Sequence, residues 1–257
     1  MPSSCLSIPV RKKAFGCLRE FQVSRILDFD NCREELKHMK RIKAVVFDLD
    51  GTLLDTLEDL AASTNAALAQ NDLPVRTTDE VRSFVGNGIA NLIERAMPEG
   101  GRAHPQYQQV LDAFVAHYSV HSKDHTKPYD GIMDVFDELV QKGVRLAIVS
   151  NKIDFAVKEL SALYFGERIQ VAIGDDPSRK RKPAPDSVFA AMELMGVSAE
   201  EAVYVGDSDV DVLTAHNAAL PCCAVTWGFR SEESLVAAGA DHVAHTPQEM
   251  LSILNAI

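Results

Sequence analysis

The chain has 257 residues, 46% of them apolar and 25% charged, and carries a net charge of −11. That length suits one large domain or a domain with an insertion, and the apolar fraction is enough for a packed core. The acidity argues against nucleic acid and anionic membrane as partners, and no apolar run approaches the eighteen or so residues of a membrane span.

The charge is uneven, because residues 1–43 hold ten Lys or Arg against five Asp or Glu. Residues 1–38 are expected to form a poorly ordered N-terminal extension. Its first nineteen residues carry four basic groups and no acidic one, a faint likeness to an organellar targeting peptide without the amphipathic pattern. Met39, just ahead of the first strand, is the plainer candidate for a natural start. Cys5, Cys17 and Cys32 lie in this segment, and Cys222 and Cys223 are adjacent. They show neither metal-ligand spacing nor a disulfide framework, so a reducing, cytoplasmic setting is expected.

The first strand, over 43–49, runs into Asp48-Leu49-Asp50-Gly51-Thr52. Residues two apart on a strand share a side, so Asp48 and Asp50 leave the sheet edge together. Two such carboxylates repel unless a cation or a shared proton offsets them. Mg²⁺ suits the pair, since it takes one or two carboxylates together with water and substrate phosphate. Gly51 permits a tight turn whose N–H groups can face an anion.

Between Thr56 and Pro128 lie over seventy residues of helical periodicity with no clear strand. Leu57, Leu60, Ala61, Thr64 and Leu68 form one stripe, with Thr56 and Asp59 placed as a capping-box variant. A second helix opens at Thr78, Gly86-Asn87-Gly88 punctuates, a third follows from Ile89, and a longer one covers 104–120. A single crossover needs far less chain, so 56–128 is expected to be a helical cap inserted into a core of 39–55 and 129–257. His117, His121 and His125 recur every four residues; Pro128 beyond them predicts a fraying helix end rather than a zinc face.

Further strands are predicted at 144–149, 169–173, 202–206, 222–226 and, more weakly, 242–244. Helices are predicted at about 131–142, 152–164, 185–195, 209–218 and 231–239. Short apolar strands alternating with helices predict an α/β fold, a doubly wound parallel sheet whose ligands sit beyond the strands' carboxyl ends. Ser150-Asn151 ends the second core strand, where a hydroxyl and an amide suit phosphate oxygens or cap a helix. Lys182 stands before Pro183 and Pro185, which stiffen its backbone, and can bridge a carboxylate and a phosphate. Arg179, Lys180 and Arg181 are expected on the surface. In Gly206-Asp207-Ser208-Asp209-Val210-Asp211 the last acid shares a side with Asp207 once a helix has begun.

As an ordered set, DLDGTLLDT at 48–56, SN at 150–151, KPAPD at 182–186 and GDSDVD at 206–211 resemble the haloacid dehalogenase superfamily of aspartate-nucleophile phosphotransferases. The resemblance spans residues 43 to about 245. It implies Asp48 as nucleophile and Asp50 as general acid/base. Mg²⁺ would be held by Asp48, the Asp50 main-chain oxygen and Asp207, with Asp211 supporting the metal's water shell. Thr52, Ser150, Asn151 and Lys182 would hold the phosphoryl group. Dehalogenating members lack the second acid, so Asp50 disfavours carbon–halogen cleavage.

Two further stretches look like phosphoglycolate phosphatases: Val85-Gly86-Asn87-Gly88 with Leu92 and Arg95-Ala96, and Ala224 to Arg230. The resemblance thus implies hydrolysis of 2-phosphoglycolate to glycolate and phosphate, with Gly86, Asn87 and Gly88 over the substrate's organic end. Arg95 is divided between a salt bridge in the cap and a substrate carboxylate. Trp227 is expected to pack at the sheet edge, and Met192 and Met195 in the core. The rival enzymes are a sugar-phosphate phosphatase, a sugar-phosphate mutase of the β-phosphoglucomutase type and a pyrophosphatase. The non-enzyme rival is a phospho-receiver switch, which the second acid and the helical insertion oppose. The expected partner is a small phosphorylated metabolite, acted on by a monomer or homodimer.

Overall fold

The computed structural model describes residues 42–257; the expectations for residues 1–38 and for Met39 lie outside them. The first strand, β1 (Ala44–Phe47), is buried at every position. Around it stand β4 (Arg145–Ile153), β5 (Val171–Asp175), β6 (Ala202–Gly206), β7 (Cys222–Val225) and β8 (His242–Ala244). They form one parallel sheet in the order β5-β4-β1-β6-β7-β8. The side-chain period of two divides the strands cleanly between the faces. Val45, Phe47, Leu146, Ile148, Val203 and Val205 pack with α5 (Ile132–Gln141), α6 (Asp154–Tyr164) and α10 (Pro247–Ala256). Ala44, Val46, Ala147, Val149, Tyr204 and Ala224 pack with α7 (Asp186–Met195), α8 (Asp209–Asn217) and α9 (Glu232–Ala237). Met192 and Met195 belong to this second layer. Each large apolar side chain so buried contributes about 1.5–3 kcal/mol. This is the doubly wound parallel α/β fold that the alternation of strands and helices predicts.

The helical insertion comprises α1 (Leu57–Gln70), α2 (Thr78–Phe84), α3 (Ile89–Ala96) and α4 (Tyr107–His121). Leu57, Leu60, Ala61 and Leu68 of the predicted stripe are buried with Val81, Ile93, Phe114 and Tyr118. Phe229, from the loop after β7, joins this third cluster. The chain enters and leaves the insertion through a short antiparallel pair, β2 (Leu54–Asp55) with β3 (Lys127–Pro128), whose two-residue strands are too short to give a periodic signal.

Three local expectations are corrected. The Thr56–Asp59 capping box does not form, because Thr56 is not in the extended conformation the box requires (φ −108°, ψ 2°) and its side chain makes no cap bond. Asp59 instead accepts from the His125 N–H (2.9 Å), the Thr126 N–H (2.9 Å) and the Thr126 hydroxyl (2.7 Å). The box does form at α2, between Thr77 and Glu80. Secondly, β4 continues through Ser150-Asn151 to Ile153, so neither residue caps a helix. Its register with β5 runs from Val149 opposite Ile173 to Ile153 opposite Asp175. Residues 150–152 therefore bulge out against Gly174 alone. Thirdly, Arg95 makes no ion pair among the described residues; it donates to the Phe84 carbonyl at 2.7 Å.

His117 and His121 share a face of α4, and His125 lies beyond its end. His117 lies 3.0 Å from the Ser63 hydroxyl and stacks on His121. His121 pairs with Asp124, and His125 lies 3.6 Å from Glu58. Trp227 packs edge-on to Tyr129 and donates to the Thr52 carbonyl.

Candidate active site

The carboxyl ends of β1, β4 and β6 meet at one cluster. Asp48 and Asp50 follow β1, Asp207 follows β6, and Asp211 lies in the first turn of α8. The Lys182 ammonium reaches them from the loop after β5, 2.8 Å from Asp48 Oδ1 and 2.7 Å from Asp211 Oδ1. Asn151 fixes the Lys182 backbone, accepting from its N–H at 2.9 Å and donating to its carbonyl at 3.2 Å. Burial works against the Lys182 charge, yet Asp211 and Asp48 hold its pKa well above the usual lysine range.

Asp48 and Asp211 share the Lys182 ammonium, and buried Asp207 stands beside them. Burial first, and then the charge of Asp211, pushes Asp48 up to about 7 and Asp207 up to about 8. One oxygen from each of Asp48, Asp207 and Asp211 lies within 4.8 Å of the others. An all-oxygen cluster with surplus negative charge fits a hard divalent cation. Asp211 is the most heavily engaged of the three. Its Oδ1 accepts from Lys182 and the Tyr204 hydroxyl, its Oδ2 from the Ser208 N–H and hydroxyl. It is the anchor of Lys182, and Asp48 and Asp207 are left with lone pairs for an ion.

Above the cluster is a cavity lined by Asp48, Asp50, Ser150, Asn151, Lys182 and Asp207 on the sheet side. Val85, Gly86, Asn87, Gly88, Ile89 and Leu92 line it from the cap side. Of the site residues expected from the sequence, Thr52, Arg95 and Asp211 are not on this lining. Thr52 is fully buried and donates to Asp207 Oδ1 at 2.8 Å, so its hydroxyl holds Asp207. Arg95 braces the Phe84–Gly86 loop from outside.

The chain matches the family model of haloacid dehalogenase-like hydrolases over residues 45–225. It is 34% identical to a phosphoglycolate phosphatase of Pseudomonas savastanoi pv. phaseolicola, over 76% of this chain and 74% of the relative. It is 32% identical to one of Chromobacterium violaceum, over 84% and 98%. The chain belongs to the haloacid dehalogenase-like hydrolases. Among solved structures, a protein of Lactobacillus delbrueckii subsp. bulgaricus, provisionally described as a phosphoglycolate phosphatase, superposes with a TM-score of 0.81 at 33% identity. It covers 84% of this chain and 100% of its own. CbbY of Rhodobacter sphaeroides, solved with phosphate, gives 0.64 at 27% identity over 81% and 96%. The chain is accordingly a phosphatase of this hydrolase family.

Two cations to which the sequence assigned no role also reach the cavity of this hydrolase. Lys152 lines the cavity from the bulge of β4, with its ammonium 2.9 Å from Asp50 Oδ1 and 2.7 Å from the Tyr118 hydroxyl. Although burial opposes its charge, Asp50 raises its pKa above the lysine norm. Arg230 also lines the cavity, donating to the Val85 carbonyl and lying 3.6 Å from Asp209. A lysine two residues past Ser150 was the available signal for the first. The second closes the Ala224–Arg230 stretch noted in the sequence, but its place over the cavity depends on the Val85 carbonyl, 145 residues away in the chain.

Proposed function

We propose that this phosphatase hydrolyses 2-phosphoglycolate to glycolate and phosphate in two steps through an aspartyl-phosphate on Asp48, with Mg²⁺ as cofactor. The observation that carries it is Asp48 ion-paired to buried Lys182 in the cavity that Asp50 also lines. The names of the relatives in Pseudomonas and Chromobacterium support the substrate.

In the first step a carboxylate oxygen of Asp48 attacks phosphorus and the phosphorus–oxygen bond to glycolate breaks. Protonated Asp50 gives its proton to the departing alkoxide. In the second, ionised Asp50 takes a proton from water, whose oxygen attacks phosphorus and releases phosphate from Asp48. Lys182 neutralises charge on the transferring group, with Ser150 and Asn151 beside it. Asp48, Asp207 and the Asp50 main-chain oxygen would hold Mg²⁺, which when bound supplies further charge stabilisation on the phosphoryl oxygens. Gly86, Asn87 and Gly88 sit over the organic end of the substrate, where closing the cap keeps competing water out. Buried, unpaired Cys222 and Cys223 suit a reducing cytoplasm. No helix of the described residues is long and apolar enough to cross a membrane. The working unit is a monomer or homodimer.

Phosphate release from 2-phosphoglycolate, hexose phosphates and pyrophosphate, each with Mg²⁺ and with EDTA, tests this. 2-Phosphoglycolate is expected to give the highest kcat/KM, EDTA to abolish turnover, and Asp48→Asn to fall to background. A preference for hexose phosphate or pyrophosphate overturns the substrate. Wild-type turnover by Asp48→Asn overturns the nucleophile, and a long-lived phosphoprotein that releases no phosphate overturns the enzyme reading in favour of a switch.

A further inference from the structure

Lys152 belongs to the core, in the bulge of β4, but its ammonium has one partner on each side of the cavity. Asp50 Oδ1, at 2.9 Å, stands on the core after β1. The Tyr118 hydroxyl, at 2.7 Å, is on α4 of the insertion, and the Tyr118 ring centroid is 4.8 Å from the same nitrogen. The Lys152 side chain is 5% exposed, and Tyr118 is buried too. The terminal torsion of an aspartate is broad and roughly two-fold, so a carboxylate on a turn needs a fixed donor to point one way. A 2.9 Å charge-assisted bond supplies one. The bulge is what aims Lys152 there, since residues 150–152 leave the ladder opposite Gly174. A Cβ on Gly174 would lie 2.6 Å from the Lys152 carbonyl oxygen, so the bulge closes only over a glycine.

The hydroxyl and the ring of Tyr118 hold the ammonium from above. Lifting α4 would remove both and let water compete for the ammonium, weakening its hold on Asp50. We propose that Lys152 is a positioning residue that orients Asp50 for proton transfer while Tyr118 is seated on it, so that the acid–base group is aligned only when the cap shuts out water. This rests on the acid–base reading of Asp50 given above.

The test compares phosphoryl transfer in the first turnover from an alkyl phosphate and from p-nitrophenyl phosphate, in Lys152→Met, Tyr118→Phe and Asp50→Asn. An alkoxide needs a proton to leave and a nitrophenolate hardly does. General acid catalysis is worth about 10²–10⁴-fold, so Lys152→Met should slow the alkyl ester by about tenfold or more and the aryl ester by less than about threefold. Tyr118→Phe, which removes one oxygen and keeps the ring, should shift the ratio in the same direction by a smaller factor, and it carries the comparison if Lys152→Met does not fold. Equal slowing of both esters reduces Lys152 to a structural role and overturns the proposal. A raised KM for a carboxylate-bearing ester at unchanged kcat assigns the ammonium to the substrate and overturns it as well. If Asp50→Asn also fails to distinguish the two esters, the acid–base reading of Asp50 falls, and the proposal with it; if Asp50→Asn distinguishes them and Lys152→Met does not, only the proposal falls.

Discussion

Asp207 is held by backbone that leaves no room for side chains. A Cβ on Gly228 would lie 2.4 Å from Asp207 Oδ2, and one on Gly51, at φ +87°, would lie 2.5 Å from it. The Phe229 N–H donates to that same oxygen at 2.8 Å. Gly228→Ala must therefore displace the carboxylate or the loop. It is expected to cost about 1–3 kcal/mol of stability and to lower activity at least tenfold, about 1.4 kcal/mol of transition-state free energy. Denaturant titration and phosphate release measure the two effects, and an alanine variant of wild-type activity would show that the contact is slack. At this scale the acids and Lys182 were legible because their chemistry is written in their side chains. Thr52 was not, because the direction of a hydroxyl after a glycine turn depends on what packs above it, here Asp207 from a strand over 150 residues later in the chain.

Among the elements, the bulge of β4 and the junction of α1 with the segment before β3 shape the site most. The bulge turns Ser150, Asn151 and Lys152 toward the cavity, where a regular strand would send alternate residues to opposite faces. At the junction, Asp59 satisfies three donors of His125 and Thr126 and so ties the two ends of the insertion together. Asp59→Ala leaves buried donors unpaired and is expected to lower stability by about 3 kcal/mol, or roughly 6–12 °C in Tm. A Tm within about 2 °C of wild type would mean that water replaces the carboxylate. Helix α2 shows its Thr77–Glu80 box openly in sequence, whereas the same spacing at Thr56–Asp59 serves a tertiary contact. Spacing alone does not separate the two uses, since both place an acid three residues after a threonine.

Across the whole molecule, core and insertion meet around the cavity. Phe229 of the core packs in the apolar cluster of the insertion, Arg82 of α2 donates to the Gly228 carbonyl at 3.2 Å, and Arg230 bonds the Val85 carbonyl while lying near Asp209. Arg230 thus fixes the Val85–Gly88 loop over the acids. Arg230→Ala should raise KM by about tenfold or more, in keeping with about 1.5–3 kcal/mol for a charged hydrogen bond, and should change kcat less. Steady-state kinetics on the substrate with the highest kcat/KM check this; an unchanged KM would free the loop from Arg230.

From the order of its residues alone, the chain determined the alternation of strands and helices, the helical insertion and the acids and lysine at successive strand ends. Those follow from periodicity and from chemistry carried on neighbouring residues. Only the tertiary structure decided that Asp211 anchors Lys182, that Thr52 serves Asp207, and that Lys152 and Arg230 join the cavity. Each of those depends on a contact between residues far apart in the chain, whose geometry is set by packing across the sheet and the insertion rather than by any local pattern.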